Sequence, residues 1–507
     1  MSSSQSSDSI ASTHEDAHER VREVSEFGAW IDGEYVSAAS GETVATRDPV
    51  VDEPIVEVPR CDEREVDRAV DAAWDAFDAE WSDTTPAERS RLLFEWVSVL
   101  EDHVEELALL DSIDTGRPKS DARGEVEGAI DTLEYYASLA RGQEARQIPA
   151  REDVHIYTRH EPYGVVGQIT PWNFPTWAAA WKLGPALAAG NAAVLKPSAQ
   201  SPLSTLRMVE LAADIFPDGV VNVVTGTGSE VGGPLTEHED VRKVSFTGSV
   251  GVGEHVMKAA AEHVAPVTLE LGGKSPFVVF PDADLDKAVD AVATGIFYST
   301  GQICDGFSRA LVHEDVAAEF TDRFVDAAES YVLGDPLDEE TTMGPLTSAE
   351  QFETVSEYVE IGQQEGATLL TGGSAPDDPE LADGWYFEPT VFTDVDNDMR
   401  IAQEEIFGPV QTIQTFSTYE EAIEVANDTD FGLAAGLATE STDIAHNAAA
   451  DIEAGLVYVN EYGPILSEAP YGGFKDSGIG NDLGTEALDH YRQTKSVYVN
   501  LDDPDLE

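Results

Sequence analysis

Gly164-Val-Val-Gly-Gln-Ile-Thr-Pro-Trp-Asn-Phe-Pro175 is the stretch on which the fold turns. A short β-branched run stops in a turn of Pro, Trp and Asn, and an Ala-rich segment follows. The same alternation recurs at Ala192-Ala-Val-Leu195, Val220-Val-Asn-Val-Val224, Lys243-Val-Ser-Phe246 and Val267-Thr-Leu269. Strands alternating with helices predict a parallel, doubly wound sheet. Each run leads into a special turn: the first into Pro171-Trp-Asn-Phe-Pro175, the others into Lys196-Pro-Ser198, Thr225-Gly-Thr-Gly228, Thr247-Gly-Ser249 and Glu270-Leu-Gly-Gly273. Open α/β sheets bind ligands beyond the carboxyl ends of their strands, so five such ends outline one crevice.

Downstream, Pro276-Phe-Val-Val-Phe280, Arg309-Ala-Leu-Val312, Val410-Gln-Thr-Ile413 and Gly455-Leu-Val-Tyr-Val459 predict a second α/β unit. Cys304, in Gly301-Gln-Ile-Cys304, belongs to it, so crevice and cysteine are expected to meet where the units join. Upstream, residues 86–114 predict one long helix, with Leu92, Leu93, Trp96, Val97, Leu100, Val104 and Leu107 on one stripe.

The chain has 507 residues, 98 acidic and 29 basic, and a net charge of −69. The acids are scattered over the whole length, which reads as a surface adapted to high salt: near 1 M the Debye length is only about 3 Å. Nucleic acid is not expected as a partner of such a surface. No apolar stretch is long enough for a membrane span. Residues 1–19 are Ser-rich and acidic without the apolar core of a secretory signal, and residues 1–26 read as a mobile acidic tail. Two cysteines, Cys61 and Cys304, form no disulfide framework and no metal pair; a reduced, salt-filled cytoplasm is the expected setting, with no metal. The chain has nine lysines, so Lys196, Lys274 and Lys475, each inside a tight Gly or Pro motif, call for a reason.

A lone cysteine is ordinarily a small buried apolar residue. The motifs around Cys304 reverse that reading. Pro171-Trp-Asn-Phe-Pro175, Gly190-Asn-Ala-Ala-Val-Leu-Lys-Pro197, Phe246-Thr-Gly-Ser249, Leu269-Glu-Leu-Gly-Gly-Lys274, Gly301-Gln-Ile-Cys304, Glu404-Glu-Ile-Phe-Gly-Pro409 and Pro470-Tyr-Gly-Gly-Phe-Lys475 together resemble the aldehyde dehydrogenase superfamily. They come in the family's order and span nearly all of the chain after residue 27.

The resemblance implies two doubly wound α/β domains, a Rossmann-like cofactor domain and a catalytic domain, plus a small β oligomerisation extension. Residues 27–143 and 163–271 would form the first, 272–480 the second, and 144–162 with 485–507 the oligomerisation strands of a homodimer or homotetramer. It implies oxidation of a small-molecule aldehyde to the acid with NAD or NADP. Cys304 would be the nucleophile, Asn173 an oxyanion donor and Glu270 the base that activates water on the thioester. Lys182 and Asp482 would relay protons. Thr170, Pro171, Trp172, Lys196, Ser198, Ala199, Gly226, Gly228, Phe246, Gly248, Ser249, Leu271, Gly272, Glu405 and Phe407 would hold the cofactor. Phe174, Trp177, Trp181, Ile465 and Leu466 would line the substrate tunnel. A CoA-acylating semialdehyde dehydrogenase and a catalytically silent binding relative are the alternatives; the intact Asn173, Glu270 and Cys304 argue against both.

Two departures from the family pattern matter. Ala199 stands where relatives carry an acid that would repel a 2′-phosphate, which makes NADP use plausible. Asp482 stands where relatives carry a glutamate, with one methylene less reach toward Lys182. The loop Glu461-Tyr-Gly-Pro-Ile-Leu-Ser467 is expected to close the tunnel with an aliphatic wall and to add nothing to an aromatic cage for a quaternary ammonium.

Overall fold

In the computed structural model, which describes residues 9–501, the first sheet has eight strands. Their order is Glu34–Val36, Ala29–Ile31, Val221–Val223, Ala192–Lys196, Val165–Ile169, Val244–Thr247, Val267–Glu270 and Gly478–Ile479. The central five pair in parallel. From Val165–Ile169 the chain builds outward on one side, then crosses over to Val244–Thr247 on the other. The strand order reverses between those two, and that is where an open sheet leaves a crevice. Val165–Ile169 and Ala192–Lys196 are buried at every position, as parallel strands covered on both faces must be.

The second sheet has seven strands: Thr368–Thr371, Thr390–Thr393, Val410–Phe416, Arg309–His313, Pro276–Val279, Ala434–Ala438 and Leu456–Val459. All its pairs are parallel except that of the edge strand Thr368–Thr371. The four predicted strands are all in it. Ala434–Ala438 was not legible, because Ala-Ala-Gly-Leu-Ala lacks any β-branched residue. Its small side chains have a packing cause: a Cβ on Gly436 would lie 2.2 Å from the Phe277 ring.

Arg492–Asn500 pairs antiparallel with Val154–Pro162, which also pairs with Gln147–Ile148, in a small third sheet. The first two are the strands expected outside the main sheets. Among the described residues no helix is long and apolar enough to cross a membrane.

Four expectations need correction. The predicted helix over residues 86–114 is two helices, Pro86–Glu101 and Val104–Thr115. His103 lies between them with its ring nitrogen on the Val99 carbonyl at 2.7 Å, taking an acceptor the helix would otherwise use. The tail is not mobile throughout: Ile10–Val24 is a helix burying His14, Ala17, His18 and Val21, while residues 1–8 lie outside the described part. The catalytic unit ends before residue 480, since Gly478–Ile479 pairs with Leu269 and Glu270 of the first sheet. Residues 485–490 are not an oligomerisation strand: they lie in the helix Gly484–His490, whose Ala487 and Leu488 join the first unit's core.

Candidate active site

A cavity of about 640 Å³ runs between the carboxyl ends of the first sheet and the second unit. Thr170, Pro171, Trp172, Asn173, Lys196, Ser198, Gly228, Phe246, Gly248 and Ser249 line it from one side, and Ile303, Cys304, Glu405 and Phe407 from the other. Crevice and cysteine meet at the junction of the units.

Cys304 follows a turn that few sequences allow. Ser299, Thr300 and Gly301 are all left-handed, at φ 51°, 57° and 73°. Such a run is costly for side chains and persists only where the surroundings over-determine it. Here they do. The Thr300 hydroxyl donates to the Gly344 carbonyl at 2.9 Å, the Gln302 side chain to the Ser299 carbonyl at 2.9 Å, and the buried Arg117 to the Ser299 hydroxyl. Gly301 can be nothing larger, because a Cβ would lie 2.1 Å from the Gly408 carbonyl oxygen. The turn delivers Cys304 to the cavity, partly open to it, with the Tyr471 hydroxyl 3.1 Å from its sulfur. Burial first, then the carboxylate of Asp305, push this thiol far above its ordinary pKa.

The Asn173 amide nitrogen donates to the Gln302 carbonyl at 2.9 Å, which ties the first unit's turn to the cysteine loop and leaves the second N–H free. Its backbone carbonyl accepts from Arg117, which is also ion-paired with Glu125 and stacked 4.4 Å over the Phe174 ring. Arg117, buried and tied to both units, holds Asn173 in place. Nothing in its Asp114-Thr-Gly-Arg117 context marked it in the sequence.

Glu270 is 3% exposed and neither carboxylate oxygen finds a donor. The nearby Asp482 N–H is already given to the Tyr471 carbonyl at 2.8 Å. Burial, with a further push from the Asp482 charge against a pull from Lys182, raises its pKa well above the carboxylate range. Asp482 does reach Lys182 despite its shorter side chain: Oδ2 lies 3.1 Å from Nζ, with both groups buried and Nζ also donating to the Ser245 hydroxyl at 2.9 Å. Reciprocal backbone hydrogen bonds between Tyr471 and Asp482 bring the neighbour of the cysteine beside this ion pair.

A model of the aldehyde dehydrogenase family matches residues 35–497. The chain belongs to that family. It is 43% identical over 479 residues to an aldehyde dehydrogenase of Aspergillus niger, covering 94% of this chain and 96% of that protein. Its fold superposes on betaine aldehyde dehydrogenase of Staphylococcus aureus in complex with NAD+ with a TM-score of 0.95, at 38% identity and covering 97% and 98% of the two chains. PnpE of Pseudomonas sp. WBC-3 is similar at 43% identity and TM-score 0.93, covering 94% and 98%. This aldehyde dehydrogenase is therefore an NAD(P)-dependent oxidoreductase acting on aldehydes.

The cavity fits such a dinucleotide. Ser249 precedes the helix Val250–Glu262 and its hydroxyl makes no cap bond, so the first-turn N–H groups and that hydroxyl are available to phosphate oxygens. Lys196, 5% exposed, gives its Nζ to the Pro197 carbonyl at 2.8 Å, and burial lowers it to about 8. Glu405 accepts the Gly273 N–H at 3.1 Å and is raised by burial to about 7. Phe407 is left-handed, at φ 58°, and meets Trp172 edge-on at 5.3 Å. Leu271 and Gly272 also line the wall.

Five expected site residues of the aldehyde dehydrogenase are not on that wall: Glu270, Lys182, Ala199, Gly226 and Leu466. Lys182 is ion-paired with Asp482, which does line it. Gly226 is turned away: its nearest neighbours are Val231 and the backbone of Cys61. Leu466 is 52% exposed and faces outward. At the substrate end, Phe174, Trp177, Trp181 and Ile465 stand on the wall as expected, and Tyr298, Tyr462 and Tyr471 join them. Tyr462 corrects the reading of its loop, which does add an aromatic ring. Tyr298 is distant in sequence from Tyr462 and Tyr471, and only the fold brings the three to one wall.

Proposed function

We propose that Cys304 is the nucleophile and Glu270 the base of an aldehyde oxidation that releases the free acid. The observation that supports this most directly is the joining of Asn173 to the Cys304 loop through the Gln302 carbonyl. The Cys304 sulfur forms a bond to the aldehyde carbon as its proton passes, through water, to Glu270. The free N–H of Asn173 holds the resulting oxyanion, as a neutral donor that does not trap it. A nicotinamide held in the cavity would supply the acceptor for the hydride of this carbon, which would remain as a thioester on Cys304. After Glu270 has given up that proton, it takes another from water as the water attacks the thioester, the carbon–sulfur bond breaks with this second proton passed to the sulfur, and the acid departs. Among the described residues no hydrogen bond holds the Glu270 carboxylate, so it can turn toward the cavity without breaking one. Asp482 and Lys182 carry the first of these protons away from it.

The tunnel favours an aldehyde with a cationic tail. Six rings face it, and Asp305, whose carboxylate accepts from the Tyr462 hydroxyl at 3.2 Å, puts a negative charge among them. Burial raises Asp305 to about 6, and the Tyr462 hydroxyl pulls it back toward its charged form. Ring faces and a carboxylate both attract a desolvated ammonium. Formation of reduced cofactor from betaine aldehyde and from its neutral isostere 3,3-dimethylbutanal, without CoA and in molar KCl, tests function and substrate together. We expect turnover of both with kcat/KM at least ~10-fold higher for the cation, about 1.4 kcal/mol, and a smaller ratio in Asp305→Asn. A requirement for CoA overturns the hydrolytic route; equal kcat/KM for the two aldehydes overturns the cationic tail.

NADP is proposed to be accepted at least as well as NAD in high salt. Ala199 follows Ser198 at the cavity edge and brings no carboxylate there, while the Lys196 ammonium is within the same wall. Molar salt screens the rest of the −69 charge to within about 3 Å. Ala199→Glu is expected to swing preference toward NAD by about tenfold. An NAD-selective wild type whose ratio Ala199→Glu leaves unmoved would contradict this.

The same scattered charge supports a high-salt cytoplasm as the working environment. A homodimer or homotetramer is supported by the position of Arg492–Asn500 at the edge of its sheet among the described strands, and by the exposed Tyr498, Val499 and Leu501. The proposed oligomerisation extension is thus the sheet of Gln147–Ile148, Val154–Pro162 and Arg492–Asn500, with residues 27–143 and 163–271 as cofactor domain and the catalytic domain from 272. Deleting residues 496–507 is expected to give monomers by light scattering in 2 M KCl; an unchanged mass would exclude assembly through this strand.

A further inference from the structure

The helix Ile10–Val24 carries two histidines one turn apart, His14 and His18, both facing inward. They converge on Asp48, at the end of the hairpin strand Thr43–Asp48. The Nδ1 atom of His14 and the Nε2 atom of His18 lie 2.5 and 2.7 Å from the same oxygen, Oδ2. All three donor atoms fall within 4.8 Å of one another, and the three residues are 1%, 4% and 0% exposed. Next to them, the other ring nitrogen of His14 meets Asp335 Oδ1 at 3.0 Å, and the other oxygen of Asp48 accepts the Val50 N–H at 2.9 Å.

We propose that His14, His18 and Asp48 form a structural site for a divalent transition metal of the zinc class. Two imidazoles and a carboxylate are donors such ions accept, at about 2.0–2.2 Å each. The present spacing requires the three atoms to part only slightly around an ion. The outer contacts are those a metal site needs. Asp335 takes the Nε2 proton of His14, which leaves the Nδ1 lone pair aimed inward, and the Val50 N–H fixes the Asp48 carboxylate. A divalent ion also balances two carboxylates, Asp48 and Asp335, with both histidines neutral. None of these residues touches the catalytic cavity. Their place indicates the task. The ion would fasten the N-terminal helix to the hairpin and, through His14, to Asp335 in the second unit.

The test uses the full-length protein in KCl, stripped with a chelator and reloaded with Zn2+ or Co2+ alone. One Zn2+ per chain should bind and raise the thermal midpoint by a few degrees, since an ion that binds only the folded state stabilises it. The Co2+ form should show visible ligand-field bands without the near-ultraviolet charge transfer of a thiolate, which separates this site from Cys304. His18→Gln and Asp48→Asn should lose both effects while His18→Gln keeps wild-type kcat. No bound ion and no change in midpoint on stripping or reloading of the wild type would show a hydrogen-bonded staple only. That outcome, a thiolate band, or undiminished binding in the variants would overturn the proposal.

Discussion

Cys304→Ala is expected to lower turnover with every aldehyde by on the order of 10³-fold or more, the scale on which loss of a covalent nucleophile is felt. The cofactor should still bind nearly as before. The reason lies in the division of the site: the groups proposed to face the phosphates, Ser249 and the first turn of Val250–Glu262, belong to the first unit, while Cys304 comes from the second. Steady-state reduction of cofactor and a separate titration of its binding by fluorescence give the two readouts. Turnover at the wild-type rate would mean that the chemistry does not pass through this sulfur. In the wild type, burial and Asp305 hold the thiol protonated in the resting protein. The reactive thiolate therefore gains population as pH rises, and kcat/KM should climb through the alkaline range.

Glu270→Gln should separate the two halves of the reaction. Water attack on the thioester loses its base, and steady-state turnover should fall about 10²–10⁴-fold, the usual weight of a positioned base. The first half still produces reduced cofactor, so a burst close to one per site should precede the slow phase. Burial and the Asp482 charge raise Glu270, and its useful form is the carboxylate, so hydrolysis in the wild type should also gain as pH rises. Asp482→Asn removes a charge that pushes Glu270 up and leaves the Lys182 ammonium, which pulls it down. The acid limb of the kcat profile should then move to lower pH. Rapid-mixing kinetics decide the first point: no burst, with turnover unaltered, would assign the base to another residue.

The legible part of the site was the part written in short contiguous motifs. Asn173, Glu270, Cys304 and Glu405 each sit in a strand-end or loop motif whose Gly and Pro residues restrict the backbone. Such local constraints survive translation from structure into sequence. Arg117, Tyr462 and Tyr471 did not show, since each takes its role from a partner far along the chain: Asn173 and Ser299 for the first, Asp305 for the second, Cys304 for the third. The N-terminal helix was misread for the same reason. Its mean composition is polar and acidic, and the face of His14, Ala17, His18 and Val21 becomes apparent only against Asp48 and Asp335.

Sequence alone determined the alternation of strands and helices and the crevice at five strand ends, because periodicity and turn chemistry act over a few residues, and its contiguous motifs carried the resemblance to the family. Tertiary structure decided what depends on distance in space. It showed that Asp482 reaches Lys182, that a loop read as aliphatic adds the ring of Tyr462, and that Glu270 is buried without a hydrogen bond behind the cavity wall. Burial, ion pairing and the pKa shifts they cause are sums over neighbours that the fold assembles, and no local stretch of this chain encodes them.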